Sequence, residues 1–436
     1  MAAAQIEMPQ AAANRFLGSL RTPSHILVAI SGGSDSTGLL LALADAIASG
    51  LLLHRLSAVT VDHALRPESA EEARAVGELC IRLGIPHRTS RWEGDKPRSG
   101  LMAAAREARY DRLADAAASV GANLIVTGHT FDDQLETLAM RRARLPQGQA
   151  EASGGIADAV LFDRRIWVVR PFLACLRRDI RAFLSDRVVG WIDDPSNEDL
   201  HYERVRVRES LADAQAKVLP NIGGEGADSL SAEAAYWVGR SVHVHEAVLA
   251  RIDPRGIDVG SPVFRRGLSY LAASLGGQPF GLGMDRLKRV LAFIGEGKPG
   301  RRTAGGVVFD LRRDGLYLMR ESRNIRALAL APGAAGVWDG RFDVANGSRY
   351  PVQIVAAGGS SSRDFPTDVP NGAAMRAAAA APAVRFEGDI EQNEREKVEI
   401  MPRLAPFDRF LTRSALDLAD RLASSFGRSP YLSPPL

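Results

Sequence analysis

The chain has only two cysteines in 436 residues, Cys80 and Cys175, far apart and each in an apolar, helix-like context. A disulfide framework, a cysteine-rich zinc site and a C-x-x-C redox pair are thereby excluded, and both residues read as buried thiols. Long hydrophobic runs are also missing: no stretch of about 18 apolar residues could span a bilayer. The N-terminal "MAAAQIEMPQAAANRFLGSL" lacks a basic start followed by an apolar core, so no secretory signal is expected and the cytoplasm is the simplest location. Strong charge of one sign is absent too. A net charge of +3 does not by itself demand a polyanionic partner, although the pI of about 9.0 and a basic complement made mostly of arginine lean towards phosphate contacts.

What is present is an ordinary globular composition, 46% hydrophobic and 25% charged, in a chain long enough for two or three domains. From Ser24 to about Trp191 short β-like runs alternate with helical patterns: "SHILVAIS", "LSAVTVDH", "IPHRTSR", "NLIVTGH" and "IWVVRP" as strands, with helices such as "TGLLLALADAIAS" and "GLMAAAREARYDRLADAAASVG" between them. Such alternation predicts right-handed crossovers and a Rossmann-like parallel sheet covered by helices, an α/β fold. Ligands bind such sheets at the C-terminal strand edge, where "SGGSDS", "VDHALR" and "TGHTFDD" should converge.

From about Ser210 to Phe293 the pattern becomes helical, with "SAEAAYWVGRSVHVHEAVLARI" read as one helix. Next, "GRRTAGGVVFDLRRDGLYLMRES" predicts a small β element. Asn346-Gly347 predicts a tight hairpin, and the Ala/Gly/Ser-rich stretch near 358–381 predicts a low-complexity loop. The expected division is 1–215, α/β and catalytic; 216–325, mainly helical; and 326–436, a small mixed α+β C-terminal domain.

The loop "ISGGSDS" lies between a strand and a helix, where backbone N–H groups and the helix dipole attract an anion. Gly32 and Gly33 allow close approach, and Ser31, Ser34 and Ser36 offer hydroxyl donors. It is no Walker A loop, for it has no lysine, and its glycines are not spaced as in the dinucleotide fingerprint. "DDQLET" opens a helix and puts Asp132 or Asp133 near Glu136 on one face; such acids often just cap a helix N-terminus. Arg106 and Arg109, three apart on another helix, could equally be its solvated face. Asp62, His63 and His129 end strands, and a lone histidine there is more often structural than catalytic.

The Ser-Gly-Gly-x-Asp-Ser pattern at Ser31–Ser36 resembles the pyrophosphate loop (PP-loop) of the N-type ATP pyrophosphatases, adenine nucleotide α-hydrolase-like enzymes that split ATP between its α and β phosphates. "VDHALRPESAEEA", "AAREARY", "GHTFDDQLET" and "WIDDPSNEDLHYERVRVR", in that order, resemble the tRNA(Ile)-lysidine synthetase family, specifically over about Ser24–Arg208 and more loosely to Arg320. The resemblance implies ATP and Mg²⁺ as cofactors, with Ser31, Gly32, Gly33, Ser34, Asp35, Ser36, Asp62 and His129 around the nucleotide and Asp35 on the metal. It implies L-lysine held by Asp132, Asp133 and Glu136, and catalysis by Asp35, Arg106 and Asp133, with Arg109 structural. The helical segment would bind tRNA, and Arg141, Arg142, Tyr202, Arg204 and Arg208 would contact it, with "RRDIR" (Arg177–Arg181) as a further basic group and Tyr202 or Trp191 able to stack on a base. The implied reaction joins lysine to C2 of the wobble cytidine of CAU-anticodon isoleucine tRNA through an adenylated intermediate. Association as a homodimer is compatible with it. The alternatives are another PP-loop tRNA-modifying enzyme, such as a thiolase, or a non-catalytic ATP-sensing RNA-binding protein. Met102, Thr130, Phe131 and Val205 depart from the family's usual residues.

Overall fold

Two compact units divide the chain in the computed structural model, Met1–Gly224 with Leu432–Leu436, and Glu225–Tyr431. The structure describes residues 6–49, 53–64, 68–97, 99–143, 154–193, 207, 225–360, 364–388 and 390–436.

In the first unit the elements follow in the order α1 (Pro9–Ser19), β1 (His25–Ala29), α2 (Ser34–Ala48), β2 (Arg55–Asp62), α3 (Ser69–Arg82), β3 (His87–Arg91), α4 (Leu101–Val120), β4 (Leu124–Thr127), α5 (Phe131–Ala143), β5 (Ala159–Phe162), β6 (Ile166–Val169) and α6 (Arg177–Ser185). The strands lie in the order β5-β6-β4-β1-β2-β3, all parallel except the β5–β6 pair. β1 and β4 are apolar and almost wholly buried, as central strands covered on both faces must be. Ala29 pairs with both Val59 and Thr127, so the chain leaves β1, β2 and β4 at one edge, as the α/β reading requires.

β5 has no counterpart in the sequence reading. Its hairpin with β6 turns through Asp163 and Arg164, both with positive φ (50° and 56°). Two successive residues in left-handed backbone favour Gly or Asn, yet Asp-Arg carries none of that signal.

The second unit holds an antiparallel five-stranded sheet ordered β7 (Val242–His245), β8 (Leu249–Ile252), β11 (Gly315–Arg320), β10 (Val307–Arg312), β9 (Gly300–Ala304), with helices at Glu225–Ser241, Pro262–Gly276 and Met284–Gly295. The expected β element is β9–β11. The single helix expected over "SAEAAYWVGRSVHVHEAVLARI" is corrected: it ends at Ser241, and β7 and β8 form a hairpin whose turn residues Glu246 and Ala247 have φ 51° and 55°. The alternation Val-His-Val-His suits a half-buried strand and overrides the helical reading of the flanks.

Two further sheets follow, β12 (Leu328–Leu330)-β15 (Val352–Ala356)-β16 (Pro382–Phe386) and β13 (Ala335–Trp338)-β14 (Phe342–Asn346)-β17 (Val398–Pro402). No hairpin turns at Asn346-Gly347, because β14 and β15 belong to different sheets. Buried Asn346 organises the crossing instead, donating from Nδ2 to the carbonyls of Leu330, Ala331 and Tyr350 at 3.2, 3.0 and 2.9 Å. The low-complexity loop expected near 358–381 is also corrected, since Asn371–Ala379 is a helix that buries Ala373 and Ala377 beside Trp338 and Tyr317. Alanine is the strongest helix former, and its small side chain lets a helix lie close to a sheet.

Candidate active site

The loop between β1 and α2 enters the helix through Gly32, whose φ of +87° favours glycine and whose missing Cβ leaves room for Ile192. Gly33 stands at the helix N-cap with no side-chain cap, so the first turn of α2 presents its N–H groups without a competing side chain. Ser36 braces the loop: its Oγ accepts from Ser31 N–H at 3.1 Å and donates to Gly33 O at 3.2 Å. The Ile192 N–H donates to Gly32 O at 2.9 Å, tying Ile192 to the loop.

Gly128, just past β4, carries the second loop against the first. A Cβ there would lie 2.8 Å from Ser36 N and 2.9 Å from the Asp35 carbonyl carbon and oxygen, all backbone atoms. Only glycine lets the two loops touch, and that contact brings α5 beside α2. At the start of α5 the Thr130 N–H donates to Asp133 Oδ2 at 2.7 Å, while the Asp133 N–H is 3.4 Å from Thr130 Oγ1. This is a reciprocal cap of the helix start. Asp133 Oδ1 lies outside the cap and accepts from the Arg177 guanidinium.

Between the acids sits Arg177, the first residue of α6. Its Nε donates to Asp35 Oδ2 at 2.9 Å and one terminal nitrogen to Asp133 Oδ1 at 3.3 Å, with the other 3.8 Å from Glu136 Oε1. Its backbone N–H donates to Asp132 Oδ2 at 2.8 Å, giving α6 the cap that Leu176 cannot. Burial raises the Asp35 pKa above the usual aspartate value; Arg177 opposes this and Asp133 adds to it. Burial disfavours the Arg177 charge, but Asp35 and Asp133 outweigh it, so its pKa stands above the ordinary guanidinium value.

A second cluster flanks α4. The buried Arg170, just after β6, donates to Tyr110 Oη at 3.1 Å, and Arg106 lies over the Tyr110 ring with its Cζ 5.3 Å from the centroid. Burial favours the neutral phenol, but Arg170, Arg106 and Arg109 together pull the Tyr110 pKa below the usual tyrosine value.

Comparison with known proteins gives the family of the chain. Residues 4–215 match a model of the PP-loop domain. A tRNA(Ile)-lysidine synthase of Rhizobium meliloti is 44% identical over 438 residues, spanning 97% of this chain and 96% of that one. This chain belongs to the tRNA(Ile)-lysidine synthase family. The enzymes of that name from Mesorhizobium japonicum (38% identical; 96% of this chain, 97% of the other) and Brucella anthropi (36%; 92% and 94%) match at similar length. Membership makes the chain a ligase with an ATP-binding PP-loop domain.

Set against the residues that the family resemblance picks out, the structure brings Ser31–Ser36, Asp35, Asp133 and Glu136 together at one strand edge. Asp132 caps α6. Asp62 is buried and accepts from Ala64 N–H and Ser69 Oγ, both at 2.7 Å. The His129 ring pairs with Thr127 Oγ1 at 2.9 Å. Arg106 is exposed, and no hydrogen bond or ion pair between described residues joins it to the acids. Arg141 and Arg142 are exposed in the last turn of α5, Arg141 bonding the carbonyls of Gly154 and Gly155. Trp191 donates to Asp193 Oδ2 at 3.2 Å. Tyr202, Arg204, Val205 and Arg208 lie outside the described residues.

Of the departures from the family's usual residues, Thr130 caps α5, Phe131 is core, and Met102 is exposed. Sequence reasoning grouped Arg177 with the RNA-facing basic residues and gave Arg170 no role. The signal for both was their place, just before and just after the turn that follows the last parallel strand.

Among the described residues no group of three or more His, Cys, Asp or Glu side chains could hold a metal alone. A Mg²⁺ ion that arrives with ATP takes one or two carboxylates and completes its shell with phosphate oxygens and water. The uncapped α2 start and the single carboxylate of Asp35 beside it fit such a pair. No described helix is long and apolar enough to cross a membrane.

Proposed function

We propose that this chain joins L-lysine to C2 of the wobble cytidine in CAU-anticodon isoleucine tRNA, consuming ATP and releasing AMP and pyrophosphate. In the first step the cytidine C2 oxygen attacks the α-phosphorus of ATP, the α–β bond breaks and pyrophosphate leaves. In the second, the lysine ε-amine attacks C2, a C–N bond forms and AMP departs with the oxygen. The carbonyl is a poor electrophile until AMP makes its oxygen a leaving group.

One observation carries the reading: Asp35, from the phosphate loop, and Asp133 with Glu136, from α5, converge on a single cation at the strand edge. A site built this way can hold two cationic partners side by side, Mg²⁺ with the nucleotide at Asp35 and an ammonium at Asp133 and Glu136. Bound Mg²⁺ would offset charge developing on the pyrophosphate. The α2 N-terminus and Ser31, Ser34 and Ser36 would bind the phosphates. Asp133, fixed by its cap, would orient the ammonium and take its proton, since only the free amine is nucleophilic. Holding both reactants on one edge supplies much of the rate. Arg106, on the helix face shared with Tyr110, would meet phosphate, and Arg141, Arg142, Tyr202, Arg204 and Arg208 would contact tRNA.

The cysteines favour this reading over a thiolase. Both are buried, and burial pushes Cys80 up to about 11 and Cys175 up to about 12, far from a reactive thiolate.

The test is order of addition. With α-labelled ATP, Mg²⁺ and CAU-anticodon isoleucine tRNA but no lysine, label should accumulate on tRNA, and added lysine should chase it off as AMP. Label that stays on the RNA in the presence of lysine, or pyrophosphate release that needs no tRNA, would contradict the proposal.

A further inference from the structure

Arg177 is the cation at the centre of the site, yet neither reaction step above uses it. Its guanidinium spends each of its three nitrogens on a different carboxylate, Asp35, Asp133 and Glu136, at 2.9, 3.3 and 3.8 Å. Its side chain is only 19% exposed, and Glu136 is 2% exposed, so these charges meet in a poorly solvated space. The backbone is pinned separately through Asp132 and the packing of Ile180 on Gly38, so the guanidinium can leave without moving the helix.

Those three carboxylates are the groups that the proposed function assigns to Mg²⁺ and to the lysine ammonium. Arg177 and those cations therefore compete for the same oxygens.

We propose that Arg177 is a positioning residue, a resident counter-ion that holds Asp35, Asp133 and Glu136 converged and is exchanged for the two substrate cations. The inference rests on the reading that lysine binds at Asp133 and Glu136. Without a cation, three neighbouring carboxylates in a nearly buried space repel one another. Arg177 offsets that repulsion in the resting enzyme. When the nucleotide's metal takes Asp35, Arg177 loses its shortest contact and is held by two acids only. Lysine then displaces it at a lower cost, so nucleotide–metal binding and lysine binding favour each other, and by linkage the effect is mutual.

The full chain can be tested by calorimetric titration of L-lysine with and without Mn²⁺ and a non-hydrolysable α,β-methylene ATP analogue. The wild type should bind lysine several-fold more tightly in the presence of Mn²⁺ and analogue. In Arg177→Ala, lysine alone should bind about tenfold more tightly than to the wild type, and the coupling should fall to near onefold. Methylguanidinium, filling the vacated position, should compete with lysine in that variant and partly restore the coupling. Arg177→Lys should keep it. Arg177→Gln, closer in size, serves if the alanine variant does not fold.

Weaker lysine binding in Arg177→Ala and Arg177→Gln, or coupling equal to the wild type, would overturn the exchange. So would parallel loss of every affinity together with thermal stability, the mark of a purely structural role. Mn²⁺ titrations without lysine separate this idea from the functional reading. If the wild type binds no lysine in either condition the functional reading fails, while tighter Mn²⁺–analogue binding in Arg177→Ala still upholds Arg177 as counter-ion and unchanged binding removes it.

Discussion

Thr130 and Asp133 cap one another across the first turn of α5, the Thr130 N–H donating to one Asp133 oxygen at 2.7 Å while the other oxygen stays turned to the site. A capping acid and a catalytic acid are usually weighed as rival readings of the same residue. Under the proposed function one carboxylate serves both, because its two oxygens point at different partners, Thr130 and Arg177.

The two tasks can be separated by substitution. Asp133→Ala should remove activity by two orders of magnitude or more, in line with roughly 10²–10⁴-fold for a general base. Thr130→Val should cost about 1 kcal/mol of stability, the usual value of a lost cap, with a smaller loss in kcat/KM. Thermal unfolding and steady-state kinetics on the same samples check this. Equal activity losses in both variants would mean that Asp133 acts only as a cap.

Gly128→Ala places a methyl group against the backbone of Asp35 and Ser36, which cannot rotate away. The two loops must separate, so ATP affinity should fall at least tenfold while the circular dichroism of the parallel sheet is retained. Titration with a fluorescent ATP analogue gives the answer; wild-type affinity would show that the loops tolerate the gap.

Gly38 lies where α2 and α6 touch, and an added Cβ would stand 2.4 Å from Ile180 Cγ2. Gly38→Ala should therefore destabilise by about 1–3 kcal/mol, the range for overpacking. The pair Gly38→Ala/Ile180→Ala should recover part of that loss, giving a coupling energy measurable by a denaturant double-mutant cycle. Additive effects would deny that this contact sets the spacing of α6, and with it the position of Arg177.

The thiols give a pH dependence. Burial pushes Cys80 up to about 11 and Cys175 up to about 12, against roughly 8.5 in an unfolded chain. A raised folded pKa contributes stability that is complete below the unfolded value and is lost as pH rises through the folded one. Stability should therefore decline from about pH 9 upward, less steeply in Cys80→Ala/Cys175→Ala. At pH 8 both thiols should resist a disulfide reagent in the native protein and react fully in denaturant.

Much of the fold and part of the site are legible in the sequence, for physical reasons that can be named. Apolar runs such as "HILVA" and "LIVT" read as buried parallel strands, and parallel strands must deliver their following loops to one edge. That logic finds Asp35 and Asp133 together with no knowledge of distance. It cannot find Arg177, whose bond to Asp35 joins residues 142 apart in sequence. Read locally, "RRDIR" is a solvated basic face. Asn346 misleads in the opposite way: Asn-Gly suits a hairpin, but a buried amide that satisfies three carbonyls gains more by crossing between sheets. The hairpin turns at Asp163-Arg164 and Glu246-Ala247 take left-handed backbone without the residues that signal it, so tertiary pairing overrides local preference.

The central claim is that the acids around Arg177 form a lysine-ligating site for one tRNA nucleotide. Its most direct test is mass spectrometry of nucleosides from CAU-anticodon isoleucine tRNA incubated with the protein, ATP, Mg²⁺ and isotope-labelled L-lysine. The account expects one labelled lysine on the wobble cytidine, dependent on ATP and absent with Asp133→Ala. Unmodified cytidine, a sulfur-sized gain in mass, or full modification by Asp133→Ala would contradict it.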